Sequence, residues 1–349
     1  MRGFGSDNHA SVHPQILRAL QECDGGHQPS YGTDPITQAA EKLFKELFAS
    51  QNLTAHFVFN GTGANVIALR ALAKPWQAVF CSDVAHIQVD ECGAPESLGG
   101  FKLQVVPSTD GKLTVAALEK AYIRRGDQHY SQAVALSITQ PTELGTTYTL
   151  SELKTLCDWA HKHKLKIHID GARIANAVAS QNSSFREMFT ENKVDIISFG
   201  GTKNGLMMGE AVLCLNPVLS EDLKFIRKQT AQLPSKSRYI ASQFKAYLSD
   251  NLWQDIAKHS LLMAQSLFEQ IQTIPQVKIP FATTSNAVFA SIPKTWVKPL
   301  REVGFFYVWD EQETLCRWMT SWDTQPEDIQ RFVEKLKELS HETSSRSLS

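Results

Sequence analysis

The chain has 349 residues, of which 42% are hydrophobic and 20% charged, with 35 basic and 36 acidic side chains and a formal net charge of -1. This composition is typical of a globular protein, and the length predicts one large domain with a smaller one. The even balance of charge argues against a nucleic-acid partner or an acidic membrane surface. No apolar run approaches the roughly 20 residues that a membrane-spanning helix needs.

The cysteines and the first residues indicate the cellular compartment. Six widely spaced cysteines contain no C-x-x-C pair, so we expect reduced thiols in a cytoplasmic protein. The first seven residues lack the apolar core of a secretion signal, which agrees with that expectation.

The chain is predicted to begin with an arm and two helices. Residues 1–15 form the expected N-terminal arm, and a short helix is expected at 14–22. Asp34 followed by Pro35 predicts a second helix, because an aspartate caps free backbone amides and proline fits the first turn. This second helix is expected to end near Phe48.

Between residues 57 and 215, short apolar strands alternate with helices. The predicted strands are 57–59, 78–81, 101–106, 133–138, 166–169, 194–199 and 211–215. Such alternation favours an α/β fold with a largely parallel sheet covered by helices on both faces. Functional sites in such sheets lie beyond the carboxyl ends of the strands. We therefore expect Asn60-Gly61-Thr62, Thr139-Gln140, Asp170 and Lys203 to meet there.

The pattern changes after Asn216. Long helices are predicted at 220–229 and 236–274, with a break near Asp250, followed by strands at 286–291, 305–308 and 314–319. Thr324 and Glu327 predict a capping box at the start of a final helix. The predicted division is a large domain at 16–235, a small α+β domain at 236–339 and a disordered tail at 340–349.

One lysine stands in a turn between two apolar strands. After the strand at 194–199 the chain passes through Gly200-Gly201 to Lys203. A lysine walled by glycines at a strand end is well placed to lose its proton and attack a carbonyl as a neutral amine. From this segment alone, an ordinary loop lysine remains an open alternative.

Two other segments add candidate groups. Gly61-Thr62-Gly63 opens a helix whose exposed amides can bind an anion, although a plain tight turn remains possible. Asp170 follows a strand and can pair with a protonated ring nitrogen, which would make a pyridine ring an electron sink. The alternative is that Asp170 caps the next helix with Arg173 as its ion partner.

Together, a phosphate turn followed by Asp170 and Lys203 at two strand ends resembles the fold-type I pyridoxal-phosphate enzymes. Several motifs resemble more closely the low-specificity L-threonine aldolases, a beta-eliminating lyase-like group. These motifs are Ser6-Asp7-Asn8, Tyr31-Gly32-Thr33-Asp34-Pro35, Gly61-Thr62-Gly63-Ala64-Asn65, Ala85-His86, the segment 168–173, the segment 198–205 and Ser237-Arg238. The resemblance runs from about residue 4 to 335. It implies the fold-type I architecture with a smaller α+β C-terminal domain.

The resemblance implies roles around the cofactor ring. Lys203 would form the Schiff base with pyridoxal phosphate, and Asp170 would keep the ring nitrogen protonated. Arg173 would lie beside the phenolate oxygen, and His86 would stack on the ring face.

The resemblance also implies a phosphate site and a substrate site. Gly61, Thr62 and Gly63 would hold the phosphate, with help from Arg238. Ser6 and Arg317 would hold the substrate carboxylate, since a guanidinium matches it in bidentate geometry. His86 or His129 would assist at the substrate hydroxyl as a base or through water. Without the resemblance, His129 would be interpreted as a surface-loop histidine.

The activity that this resemblance implies is retro-aldol cleavage of L-threonine, L-allo-threonine and related β-hydroxy-α-amino acids to glycine and an aldehyde. β-Elimination or racemisation of an amino acid is the alternative with the same cofactor, and a non-catalytic protein on the same fold is a third. A small amino-acid substrate and a homotetramer of paired dimers are expected, with no metal.

Several segments depart from the family pattern or need another explanation. The segment 229–236 replaces a glycine-rich run of other members, and the segment 139–145 matches one aldolase branch only. His161-Lys162-His163 is expected to be a solvated helix end, because no further ligand completes a metal site nearby. Trp309, Trp318 and Trp322 are predicted to form the core of the small domain, with an aromatic wall of the substrate site as the alternative.

Overall fold

The N-terminal arm packs against the C-terminal part of the chain before the first helix begins. In the computed structural model, which describes residues 2–346, the backbone N–H of Phe4 donates to the carbonyl of Phe305 at 2.7 Å, and the carbonyl of Phe4 accepts from Met319 at 2.8 Å. A short 3₁₀ turn at Asp7–His9 follows, with Ser6 as its N-cap. These backbone bonds hold the arm beside the small domain.

The first part of the chain forms a seven-stranded sheet. Its strands are β1 (Thr54–Val58), β2 (Gln77–Ser82), β3 (Lys102–Val106), β4 (Gln132–Thr139), β5 (Lys166–Gly171), β6 (Ile196–Phe199) and β7 (Glu210–Cys214). Their order is β1-β7-β6-β5-β4-β2-β3. The sheet is parallel from β6 to β3, and β7 runs antiparallel to both of its neighbours. The carboxyl ends of the parallel strands therefore meet at one edge, as predicted.

Helices cover both faces of this sheet. They are α1 (Pro14–Cys23), α2 (Pro35–Leu47), α3 (Gly61–Leu72), α4 (His86–Val89), α5 (Ala94–Gly99), α6 (Val115–Ala121), α7 (Leu150–Lys162), α8 (Ile174–Ser180) and α9 (Pro217–Gln229). Successive strand residues point to opposite faces. Accordingly, Val79 packs in the apolar layer beneath α3 and α9, whereas Phe80 packs in the larger layer on the other face. The predicted two-sided α/β architecture is confirmed.

Two helix starts formed as their sequences predict. The carboxylate of Asp34 accepts the backbone N–H of Thr37 at 2.8 Å and caps α2, with Pro35 in the first turn. The side chain of Asn60 accepts the backbone N–H of Gly63 at 2.8 Å and caps α3. Both side chains satisfy amides that have no partner within the helix.

The remaining elements form the small domain and its connection. They are α10 (Arg238–Leu248), α11 (Leu252–Ile271), β8 (Ala287–Ser291), α12 (Val297–Arg301), β9 (Tyr307–Asp310), β10 (Leu315–Met319) and α13 (Pro326–Arg346). The strands form an antiparallel sheet in the order β8-β10-β9. The break predicted near Asp250 is present, where Asp250 and Asn251 have φ values of 51° and 59°. None of the helices in the described range is long and apolar enough to cross a membrane.

The two apolar cores meet within α11. Ile256 and Ala257 pack with the core of the large sheet, whereas Met263 and Leu267 pack with the core of the small domain. Helix α10 also packs on the large core, for example through Phe244. The long helix therefore belongs to both domains. The division at residue 236 stays a prediction drawn from the sequence.

The start of α13 differs from the prediction. The predicted capping box between Thr324 and Glu327 is wrong, because the helix begins at Pro326. The carboxylate of Asp328 accepts the backbone N–H of Gln325 at 3.0 Å. Proline lacks an N–H and fits only the first turn, so it moves the cap position to residue 325 and its acidic partner to residue 328.

The end of α13 also differs from the prediction. Residues 340–346 were predicted to be disordered, but they continue the helix to Arg346. Long-range contacts stabilise this extension: the hydroxyl of Ser340 donates to Gln276 at 2.6 Å, and the indole of Trp296 donates to Thr343 at 3.0 Å. Local composition missed these contacts. Residues 347–349 of the predicted tail lie outside the described residues.

Candidate active site

A cavity of about 310 Å³ opens where the parallel strands end. Asp170 at the end of β5, Lys203 in the turn after β6, and Gly61 and Thr62 at the start of α3 all line it. Its size is within the range of small-molecule sites. The structure thus brings together the amine, the acid and the anion-binding turn that the sequence placed at separate strand ends.

The surroundings of Lys203 favour the neutral amine. The positive charge of Arg173, followed by burial, lowers the pKa of Lys203 below its ordinary value, although Asp7, Asp170 and Glu210 act in the opposite direction. An amine with a lowered pKa is unprotonated in a larger fraction of molecules, and the unprotonated form is the nucleophile.

Close packing explains the glycines before this lysine. A Cβ atom at Gly200 would overlap the carbonyl group of Ala172. The backbone N–H of Gly201 donates to the carboxylate of Glu210, which is buried at the start of β7. The lysine turn is therefore held against β5 on one side and β7 on the other.

Asp170 is not a helix cap. Asp170 is 4% exposed, and its Oδ2 atom accepts a hydrogen bond from the side-chain amide of Asn65 at 2.9 Å. The residue before α8 is Arg173, and no side chain caps that helix. The alternative in which Asp170 caps α8 and pairs with Arg173 is therefore wrong. A buried carboxylate that faces the cavity is what a protonated ring nitrogen requires.

Arg173 pairs instead with Asp7 of the N-terminal arm. Its Nε and terminal nitrogen atoms donate to the two carboxylate oxygens of Asp7 at 2.6 and 2.8 Å. Burial would raise the pKa of Asp7, but the adjacent Arg173 guanidinium holds it below the ordinary value. The amide of Asn286 donates to the same carboxylate at 3.1 Å. This pair ties the arm to the large domain beside Lys203.

His86 begins α4 and lines the cavity beside Lys203. Its Nδ1 atom lies 2.9 Å from the carboxylate of Glu91, and its backbone N–H donates to Glu143 at 2.7 Å. The hydrogen bond with Glu91 raises the pKa of His86 above its ordinary value, although burial opposes this. The imidazole is thus a stronger base than a solvated histidine.

The predicted phosphate turn has room for an anion. Gly61 and Thr62 line the cavity, and a Cβ atom at Gly61 would have nothing within 4 Å. At Gly63 a Cβ atom would overlap the side chain of Gln232, whose carbonyl oxygen accepts the backbone N–H of Phe59 at 3.0 Å. The segment that replaces the glycine-rich run therefore packs directly on this turn.

A second, wider cavity of about 570 Å³ adjoins the first. Ser6, His86, Lys203, Trp309 and Arg317 are among its lining residues. The guanidinium of Arg317 lies over the Trp309 ring at 4.9 Å, and its buried Nε atom has no hydrogen-bond partner among residues 2–346. Burial, followed by the charge of Arg173, lowers the pKa of Arg317. A buried guanidinium that lacks an anionic partner suits a substrate carboxylate.

Three predicted site residues, Gly63, His129 and Arg238, do not line these cavities within the described part of the chain. His129 is exposed in the loop before β4, where its backbone N–H donates to Asp127 at 2.9 Å. Arg238 begins α10 and lies over the Tyr239 ring at 5.1 Å. Their proposed roles stay predictions.

The tryptophans have different roles from one another. Trp318 is fully buried in the core of the small domain, as predicted. Trp309 is 37% exposed and lines the wider cavity, and Trp322 packs against the core of the large sheet, so the assignment of these two to the core of the small domain is wrong. Trp309 lies on the short edge strand β9, whose residues are mostly exposed and border this cavity. His163 is the residue after α7, and its side chain is not solvated as predicted but packs on the Tyr122 ring at 4.4 Å.

Sequence reasoning missed four polar residues of the site: Asn65, Glu91, Glu143 and Glu210. Burial raises the pKa of both Glu143 and Glu210 to about 7. Asn65 and Glu143 lie inside segments already singled out, namely the phosphate turn and the segment 139–145, and Glu210 directly precedes the predicted strand at 211–215. Only Glu91 had no signal in the sequence, because its role depends on contacts with α3 and α4.

The residues present fit pyridoxal phosphate. They provide an amine with a lowered pKa, a buried carboxylate at Asp170, an imidazole at His86 and open space at a helix N-terminus. This combination matches the cofactor's aldehyde, ring nitrogen, ring face and phosphate.

Comparison with known proteins agrees with this geometry. Residues 3–293 match the model of the beta-eliminating lyase family. A low specificity L-threonine aldolase from Pseudomonas aeruginosa is 37% identical over 337 residues, which span 96% of each chain. One from another Pseudomonas strain is 35% identical over 335 residues and again spans 96% of each chain.

Solved structures share the same fold. A threonine aldolase from Leishmania major superposes with a TM-score of 0.92 at 30% identity and covers 97% of this chain and 100% of its own. An aromatic aminotransferase from Pyrococcus horikoshii has a TM-score of 0.71 at 15% identity, covers 98% of this chain and 95% of its own, and indicates a common architecture only. The expected fold-type I architecture is confirmed, and the chain belongs to the beta-eliminating lyase family and, within it, to the low-specificity L-threonine aldolases.

Proposed function

We propose that the protein uses pyridoxal phosphate to cleave L-threonine, L-allo-threonine and related β-hydroxy-α-amino acids to glycine and an aldehyde. The observation that carries this proposal is the position of Lys203. Its amine has a lowered pKa and lines both cavities, with Asp170 in the first and Arg317 in the second. The relatives that cover nearly the whole chain are threonine aldolases, which supports the same reaction.

The cofactor is held by groups from five separate parts of the chain. Lys203 supplies the amine that binds it covalently, and Asp170 keeps its ring nitrogen protonated. The turn at Gly61, Thr62 and Gly63 receives the phosphate through the backbone amides of Gly61 and Thr62, because the N–H of Gly63 donates to Asn60. When bound, pyridoxal phosphate supplies an electron-poor ring that accepts the electron pair of the broken Cα–Cβ bond. Arg173 and Arg238 are proposed to lie at the phenolate and the phosphate, respectively.

The substrate is oriented by its carboxylate. Arg317 offers two parallel N–H groups to it, and Ser6 adds a hydroxyl from the arm. Trp309 holds the guanidinium from one face, so the carboxylate approaches from the cavity. Fixing the carboxylate determines which bond at Cα lies perpendicular to the cofactor ring, and this favours carbon–carbon cleavage over loss of the α-proton.

Proton transfer at the β-hydroxyl is assigned to a histidine. His86 accepts the hydroxyl proton as the Cα–Cβ bond breaks, the aldehyde leaves, and Cα is protonated to give glycine. His129 is proposed to assist this transfer directly or through water. Because His129 is exposed on its own subunit, that role requires a neighbouring subunit's cavity, which agrees with a proposed homotetramer of paired dimers.

We further propose a cytoplasmic location. All six cysteines are unpaired and five of them are buried, which suits a reducing compartment. Sedimentation at several protein concentrations would test the tetramer, and a monomer that retains full activity would contradict the use of His129 across subunits.

The function is tested with Lys203→Ala and a surface control, Lys224→Ala on α9. Wild type and control are expected to show a visible absorbance band that glycine shifts, and to release acetaldehyde and glycine from threonine. Lys203→Ala is expected to lose the shift and at least about 10³-fold in rate, as for loss of a covalent catalyst. Release of ammonia without aldehyde would indicate elimination instead, and absence of any band would refute the assignment.

A further inference from the structure

We propose that Glu91 is a positioning residue, which keeps a proton on Nδ1 of His86 and so leaves Nε2 as the base that faces the cleft. This inference rests on the proposed function, because it explains how His86 is prepared for its role at the β-hydroxyl. It concerns a glutamate that lines neither of the two cavities described above, but borders a small pocket of about 70 Å³ between them with His86 and Asn65.

Glu91 receives two hydrogen bonds on one oxygen atom. Its Oε1 lies 2.9 Å from Nδ1 of His86 and 2.8 Å from Nδ2 of Asn65. The side chain of Glu91 is 1% exposed, whereas that of His86 is 39% exposed. The contact therefore lies on the protein side of the imidazole, and the open side belongs to the cavity.

The chemistry of these partners decides where the protons are. The amide group of Asn65 also lies 2.9 Å from Oδ2 of Asp170, so it faces two carboxylates and must present its NH₂ group to both. A carboxylate oxygen that already receives one N–H is an acceptor, so the second close nitrogen, Nδ1 of His86, also donates. Neutral His86 is then the Nδ1–H form, and its Nε2 carries the lone pair.

Asn65 fixes Glu91 in place. It is in the first turn of α3 and is 3% exposed. Its amide joins Glu91 to Asp170 on β5, so the acid assigned to the ring nitrogen and the partner of the proposed base share one donor. This arrangement holds the orientation of His86 through groups on three elements, as a partner beyond a catalytic base does in other enzymes.

Other charges near His86 act in both directions. The hydrogen bond to Glu91 raises the pKa of His86, burial opposes it, Asp170 raises it and Lys203 lowers it. The carboxyl group of Glu143 accepts the backbone N–H of His86. Because the bond with Glu91 has the largest effect, its removal is expected to make His86 a weaker base.

The test uses Glu91→Gln with Glu96→Gln as the control. Both variants remove one negative charge, and Glu96 lies on α5, where it accepts the backbone N–H of Leu103. In the cofactor-free protein, the rate at which diethyl pyrocarbonate modifies His86 is measured against pH by peptide mass spectrometry. This readout is independent of catalysis, so it separates a failure of this inference from a failure of the proposed function.

In wild type and Glu96→Gln, the midpoint for His86 is expected above its ordinary value of 6.5. In Glu91→Gln it is expected to fall towards or below that value, and the acidic limb of kcat/KM against pH should shift with it. The rate at neutral pH should fall about tenfold to a hundredfold, which is no more than the lower end of the roughly 10²–10⁴ that acid–base catalysis provides, because Glu91 acts only through His86. An unchanged midpoint in folded Glu91→Gln overturns the proposal.

If Glu91→Gln does not fold, Glu91→Asp answers the same question, because its carboxylate is one methylene further from Nδ1. Its midpoint is expected between those of wild type and an unpaired histidine. A wild-type midpoint in Glu91→Asp overturns the proposal. If the midpoint shifts as expected but wild type releases no aldehyde from threonine, the proposed function fails and the positioning of His86 stands.

Discussion

The effect of burial on the carboxyl group of Glu210, which lies next to the turn that contains Lys203, can be tested directly. Its carboxylate is 8% exposed and accepts the backbone N–H of Gly201. Burial raises the pKa of Glu210 from 4.5 to about 7 in the folded protein. A shift of this size corresponds to about 3 kcal/mol between the two protonation states.

The sign of the effect follows from which state binds the proton more tightly. The folded state holds the proton of Glu210 up to about pH 7, whereas the unfolded state releases it near 4.5. The unfolded state therefore binds fewer protons between these values, and the free energy of unfolding falls as the pH rises through this window. Above pH 7 the loss is complete, at about 3 kcal/mol.

We expect Glu210→Gln to remove this loss. Glutamine cannot ionise, and its carbonyl oxygen can still accept the N–H of Gly201. The variant should match wild type near pH 4.5 and exceed it above pH 7 by up to about 3 kcal/mol. The measurement is urea unfolding of cofactor-free protein from pH 4.5 to 8 at one protein concentration, because ligand and assembly alter apparent stability.

Glu96→Gln serves as the control, since that glutamate is exposed. Its difference from wild type should not vary with pH. Parallel curves for Glu210→Gln and wild type across the window would refute the argument that burial holds this carboxyl group protonated. A less stable variant at every pH would show instead that the charged form contributes to the folded state.

Two further predictions concern the substrate site and the lysine turn. Arg317→Lys should raise the KM for threonine by roughly tenfold to a hundredfold, because an ammonium group cannot form the bidentate pair. As a control, titration of this variant with pyridoxal phosphate should give the same Kd for the cofactor as wild type. A KM within twofold of wild type would contradict the assignment of Arg317 to the substrate carboxylate. Gly200→Ala should lower the free energy of unfolding by about 1–3 kcal/mol, since its Cβ atom would overlap the carbonyl of Ala172. Urea unfolding measures this loss, and wild-type stability would show that β5 and the turn can separate without cost.

Much of the site could be predicted because its groups follow local patterns. Apolar runs that end in polar residues located Asp170 and Lys203, and parallel strands necessarily end at one edge of the sheet. Glycines near Lys203 indicated close approach, and the structure identifies the neighbours as Ala172 and Glu210. These predictions needed only strand periodicity and the geometry of glycine.

Predictions failed where a residue's partner is distant in the chain. The alternative interpretation paired Arg173 with the nearby Asp170. In the structure Arg173 pairs with Asp7, which is 166 positions earlier. The end of α13 looked disordered from its serines, yet it is held by Gln276 and Trp296. Local sequence contains no information on which of two equally charged groups will be adjacent after folding.

The sequence by itself determined the alternation of strands and helices and the edge of the sheet at which Asp170 and Lys203 lie, because these depend on periodicity and turn geometry. Only the tertiary structure decided the directions in which the pKa values of Lys203 and His86 are shifted. The lowered pKa of Lys203 depends on Arg173, and the raised pKa of His86 depends on Glu91 and Asp170. Charges act over a few ångströms in a poorly solvated cleft, so their effects are set by folded distances.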